Sequence, residues 1–228
     1  MIPPSISEIA ADAEWVDGAD GTALRLYRLH GPISEGPVLL FGHANGFPSG
    51  SYGAFFEALG DDIDIISIPK LGHNSRYAIA PNWHGLGDEL ADSVRSQADG
   101  RPVIALGHTL GGMCSLIAAH RDPSLFKGII LMDPATINPV TGVLMAAMKV
   151  IGQIDRITPA GRSKGRCASW PSAQAMHDSL RHKGLFKAFS DDSFQCYMTH
   201  GLVFFAVAHC CFIATWLGWM LIYPKCCS

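Results

Sequence analysis

Arg101 to Leu116, RPVIALGHTLGGMCSL, constrains this chain more than any other stretch. Pro102 to Leu106 is a short apolar run around Val103 and Ile104, which predicts a strand covered on both faces, as in a parallel sheet. Gly107-His108-Thr109-Leu110-Gly111 must then turn sharply, and Gly112 to His120 continues in small and apolar residues as a helix. A strand and a helix can meet at so tight a turn only if their backbones approach closely, and the glycines permit that.

The rest of the chain repeats the alternation. Glu14-Trp15-Val16, the turn Asp17-Gly18-Ala19-Asp20-Gly21, and Leu24 to Leu29 predict an N-terminal hairpin. Pro37 to Phe41 is a second buried strand, ending in Gly42-His43-Ala44-Asn45-Gly46-Phe47, a loop of turn-forming residues. A short helix over Tyr52 to Leu59 follows, then a strand at Ile63 to Ile68 and the turn Leu71-Gly72-His73-Asn74-Ser75. Trp83 to Ser96 has helical spacing, with Leu86, Leu90 and Val94 on one face. After the central stretch comes another apolar strand, Gly128 to Met132, ending at Asp133-Pro134. Strands and helices at this spacing predict an α/β fold, a mostly parallel sheet with helices on both faces. At 228 residues and 48% apolar, one such domain is the natural size.

Three motifs, each at a predicted strand end, make the chain resemble the α/β-hydrolases from about Ala13 to His200. His43-Ala44-Asn45-Gly46 resembles their oxyanion-hole loop. Gly72-His73-Asn74 resembles the start of a G-x-G turn, with Asn74 in place of the second glycine. Gly107 to Gly112 resembles the nucleophile elbow. The resemblance implies acyl transfer through a hydroxyl nucleophile, a histidine base, an orienting carboxylate and two backbone donors. It assigns the nucleophile position to Thr109, where serine is usual, and the donors to the N–H groups of Leu110 and Asn45. His43 is read as shaping its loop. A β-branched residue is poorly suited to the positive φ that the elbow implies. Cys114 is read as a small buried hydrophobe, and Ser115 lies too far along the helix to substitute.

The other two roles are harder to fill. Asp133 is the candidate acid, with a turn residue before Pro134 as the equal alternative. Most of the family carries the acid beyond the next strand, and residues 201–228 contain no Asp or Glu. The base follows the last strand in such enzymes, and His209 is the one histidine in that region; His177, His182 and His200 belong to the preceding segment. The implied activity is hydrolysis of a carboxylic ester or similar acyl compound, weak or impaired. The alternative is an inactive binding protein that keeps the pocket.

The chain divides into a core at 1–136, a cap-like insertion at 137–200 after the strand ending at Asp133, and an apolar tail at 201–228. C-terminal strands are expected to be missing or altered. In the insertion, Lys149, Arg156, Arg162, Lys164, Arg166, Arg181, Lys183 and Lys187 outnumber Asp155, Asp178, Asp191 and Asp192. A solvated basic face explains this better than an anion site, and Gly161 to Gly165 does not match a phosphate loop. Gly201 to Tyr223 has no charged residue and is long enough to cross a bilayer, with Trp216, Trp219 and Tyr223 suited to an interface. Membrane anchor, packed core, or sequence foreign to the rest, as after a change of reading frame, are the three readings.

The expected partner is a small acyl substrate, with a membrane added if the tail is an anchor. A net charge of −3 gives no reason to expect nucleic acid. No cofactor and no metal are expected: the vicinal pairs Cys210-Cys211 and Cys226-Cys227 lack the usual zinc spacing. The N-terminus has no basic-then-apolar leader pattern, which with free thiols suggests the cytoplasm.

Overall fold

The structure, a computed structural model, describes residues 13–17, 23–27, 36–59, 63–74, 76–77, 82–98, 100–136, 139–153, 156, 169–205 and 209–212. Ser75, residues 161–165, the side chain of His209 and the end of the tail with Cys226 and Cys227 lie outside them. Strands β1 (Ala13–Asp17) and β2 (Ala23–Tyr27) pair antiparallel as the expected hairpin. Strands β3 (Val38–Gly42), β4 (Asp64–Ser67), β5 (Val103–His108) and β6 (Phe126–Met132) form one parallel sheet in the order β4-β3-β5-β6. The elbow strand β5 therefore has a neighbour on each side.

Alternation along β3 decides how the sheet is covered. Val38 and Leu40 face one way, joining Ile66, Val103 and Ala105 in a cluster with Leu86, Leu90 and Val94 of helix α2 (His84–Gln97) and Leu110, Cys114 and Ala118 of helix α3 (Leu110–Arg121). Leu39 and Phe41 face the other way, packing with Ile65, Leu106 and Phe56 of helix α1 (Gly53–Leu59). A period of two on the strand thus puts helices on both faces. The expected strand at Pro102–Leu106 runs two residues further, to His108, and the helix begins at Leu110 rather than Gly112. The Thr109 carbonyl already accepts the Met113 N–H at 3.2 Å, so the helix winds directly out of the turn.

Beyond β6 the chain forms helix α4 (Pro139–Val150), strand β7 (Ser169–Trp170), helix α5 (Ala173–Leu180) and helix α6 (Asp191–His200). Ser172 and Ser190 cap α5 and α6 by accepting the N–H groups of Ala175 and Ser193. Helix α6 packs on the 3-10 turn Ser49–Tyr52 and on α1. A third apolar cluster, Trp170, Met176, Phe194, Tyr197 and Met198, packs against Phe47. Strands β8 (Leu202–Phe205) and β9 (His209–Phe212) pair antiparallel, and β9 also pairs with β7. The described start of the tail is therefore β-structure. Among the described residues no helix is long and apolar enough to cross a membrane.

Candidate active site

The site is built on a contact between glycines. Gly42 ends β3 and Gly107 sits opposite it on β5. A Cβ on Gly111 would lie 2.1 Å from the Gly42 carbonyl carbon, and one on Gly107 would lie 2.4 Å from the Gly112 Cα. Helix α3 can start this close to two strands only because none of the four residues has a side chain. The turn that results holds Thr109 at φ 44°, ψ −104°, a region that favours glycine and costs a β-branched residue about 1–3 kcal/mol. The end of β6 grips the strained residue from both sides: the Thr109 N–H donates to the Met132 carbonyl at 3.0 Å, and its carbonyl accepts the Ala135 N–H at 3.4 Å.

Because Gly42 and Gly107 are in register, the loop after β3 leaves the sheet beside the turn after β5. Ala44 to Phe47 closes as a tight turn, with Phe47 N–H on the Ala44 carbonyl at 3.1 Å and Gly46 at φ 80°. Buried His43 braces it. The Leu71 N–H donates to His43 Nε2 at 2.7 Å, so the ring proton is on Nδ1 and goes to the Ala44 carbonyl at 2.9 Å. Burial, backed by His73, pulls the His43 pKa to about 4 against the opposing pull of the Ala44 carbonyl. His43 is therefore a neutral loop brace. Among the described residues the N–H groups of Leu110 and exposed Asn45 have no acceptor.

Thr109 is half-buried, and its hydroxyl makes no hydrogen bond among the described residues. Asp133 is exposed at the end of β6, with φ 42°. It lies close enough to His108 for its charge to work against the burial that lowers that ring's pKa. His209 lies on β9, in the antiparallel sheet rather than the parallel sheet that carries Thr109. His177 pairs with Asp178 at 3.1 Å and stacks edge-on to Phe194, and the His200 ring lies against Gly50. Cys114 and Ser115 are fully buried, and burial pushes the Cys114 thiol up to about 12.

Three residues here escaped the sequence reading. Tyr52 and His108 are hydrogen-bonded across the site at 2.8 Å. His108 could have been noticed as the neighbour of Thr109; nothing local marks Tyr52. Glu89 is buried on α2 and accepts the Gly72 N–H at 2.9 Å. Its place between Leu86 and Leu90 on the apolar face was the available signal. Burial pushes its carboxyl up to about 7, against the Gly72 hydrogen bond. His43 and Glu89 thus hold the adjacent amides of Leu71 and Gly72.

Comparison with known proteins agrees with this fold. A family model described as the alpha/beta hydrolase family matches residues 38–224. The chain is 29% identical over 140 residues to a monoglyceride lipase homolog of Monkeypox virus, covering 58% of this chain and 51% of that protein. It is 28% identical over 147 residues to human monoglyceride lipase, covering 60% and 48%. The chain thus spans about half the length of these relatives. Among solved structures, E-2-(acetamidomethylene)succinate hydrolase superposes with a TM-score of 0.61 at 19% identity, over 89% of this chain and 68% of that one. An esterase of M. tuberculosis gives 0.59 at 18%, over 91% and 69%.

Proposed function

The chain belongs to the alpha/beta hydrolase family, and on that premise we propose that it hydrolyses a carboxylic ester or similar acyl compound, slowly, through Thr109. The observation that carries this is the register of Gly42 with Gly107, which sets the Asn45 loop beside the strained turn at Thr109. The Thr109 oxygen would attack the acyl carbon while its proton passes to a base. The N–H groups of Leu110 and Asn45 would take the negative oxygen that forms. Collapse would expel the alcohol and leave an acyl-threonine, which water then hydrolyses. Asp133 is the candidate orienting carboxylate and His209 the candidate base.

The rate is expected to be low. The threonine methyl crowds the attack path, and no histidine ring is bonded to the Thr109 hydroxyl among the described residues. A site with an oxyanion hole but an incomplete triad keeps roughly 10³–10⁴-fold over water. A monoacylglycerol is the first natural ester to test, given the names of two relatives; a short p-nitrophenyl ester is the practical probe. Turnover that Thr109→Ala lowers about tenfold or more supports the proposal. Turnover left unchanged by Thr109→Ala overturns it, and binding without turnover favours the inactive binding protein.

A further inference from the structure

The Tyr52 phenol joins two parts of the site that are far apart in sequence. Its oxygen accepts the Ala44 N–H at 3.1 Å and lies 2.8 Å from His108 Nδ1. Ala44 belongs to the loop after β3, and His108 is the residue before Thr109. The amide takes one acceptor position of the phenol, and with the phenolic proton on the Nδ1 lone pair both groups are satisfied. His108 is then the neutral ring protonated at Nε2. Burial works the same way, lowering the His108 pKa and raising that of Tyr52 well above an ordinary phenol. The tyrosine ring is itself held edge-on against Phe41, with centroids 4.7 Å apart, and lies 5.9 Å from the His108 ring at 82°.

We infer that Tyr52 is a positioning residue, a clamp that fixes the Asn45 loop relative to the Thr109 turn and so sets the spacing of the two oxyanion donors. By taking the Ala44 amide it leaves the next amide, that of Asn45, as the free donor. By holding His108 it fixes the backbone that leads into Thr109 and Leu110. The spacing matters because a donor contributes to catalysis only where the transition-state oxygen forms. This inference rests on the acyl-transfer reading for its catalytic consequence, while the clamp itself can be tested without turnover.

The experiment is Tyr52→Phe in the full chain, which removes one oxygen and keeps the ring. Nitrogen-15 NMR of histidine-labelled protein should show His108 as the Nε2–H tautomer in the native chain and a mixture in the variant. Exchange of the Ala44 amide should quicken about tenfold or more. With a p-nitrophenyl ester, kcat should fall about 10- to 100-fold while KM stays within about twofold. Unchanged His108 signals and Ala44 exchange would overturn the clamp, and a rise in KM at constant kcat would overturn its catalytic part. If the native chain shows no turnover, the acyl-transfer reading fails, yet the NMR and exchange readouts still decide the clamp. Should Tyr52→Phe not fold, His108→Leu cuts the clamp at its other end while the phenol still holds the Ala44 amide, and is expected to give the same loss of kcat; an unchanged kcat would overturn the clamp.

Discussion

At Thr109 two demands conflict. The turn needs a residue that accepts φ 44°, and the proposed chemistry needs a hydroxyl at its tip. Thr109→Ser removes the β-branch and should ease the backbone, but we expect it to raise kcat/KM by less than about tenfold, because among the described residues no base is bonded to the hydroxyl. A larger gain on one activated ester would show that a base is already in place. Glu89 and His43 present a second conflict, read through pH. The folded chain binds the Glu89 proton more tightly than the unfolded chain does, so this residue's contribution is full below about pH 4.5 and is lost as pH rises through about 7. His43 works oppositely: its folded pKa is depressed to about 4, so its contribution is present above about pH 6.5 and lost as pH falls toward 4. The two largely cancel between those limits. Glu89→Gln keeps an acceptor for Gly72 without the charge, so it should raise stability at pH 8 by about 3 kcal/mol and leave it nearly unchanged near pH 4. Urea unfolding across that range checks the sign; equal stability of both proteins at pH 8 would refute it.

Among elements, the junction of β3, β5 and α3 is the least tolerant. Gly111→Ala would drive a methyl into the Gly42 carbonyl, backbone against backbone, where no side-chain rotation helps. We expect a loss of about 3 kcal/mol or more, seen as a lower Tm and less soluble protein. Gly128→Ala is the control, since nothing lies within 4 Å of a Cβ there. This junction was legible from sequence, because small residues at Gly107, Gly111 and Gly112 flank a run that only a buried strand suits. The parallel order was legible too, since each apolar run ends in a turn and the next helix brings the chain back. What was not legible joins residues without local signal. Tyr52 reaches His108 across 56 positions, and the hydrogen bond exists only once β3 and β5 are side by side. His209 was singled out as the one histidine of the apolar tail, where such enzymes carry the base, and the chain places it on a separate antiparallel sheet. Strand pairing depends on partners far along the chain, which a local pattern does not name.

For the whole molecule, the unequal edges of the parallel sheet decide its behaviour. β2 lies near β4, whereas among the described residues the outer side of β6 pairs with no strand. Ile130 and Leu131 on β6 are 51% and 38% exposed, and Val140, Val143, Leu144 and Ile151 form an exposed stripe on and just after α4. An open, apolar strand edge invites pairing with another chain. We therefore expect concentration-dependent association, reduced by Leu131→Lys with Tm changed by no more than about 2 °C, since the side chain is already partly in water. Light scattering at two protein concentrations is the measurement; an unchanged scattering profile for the variant would count against the edge. The strand order also has a consequence in time. β3 sits between β4, which follows it closely, and β5, which does not exist until His108 has been made. On a ribosome adding about 5–20 residues per second, one side of Val38–Phe41 stays bare for roughly 2–8 s after β4 emerges. These are among the most deeply buried residues of the finished chain, and for those seconds they are what a chaperone, or a neighbouring nascent chain, meets first.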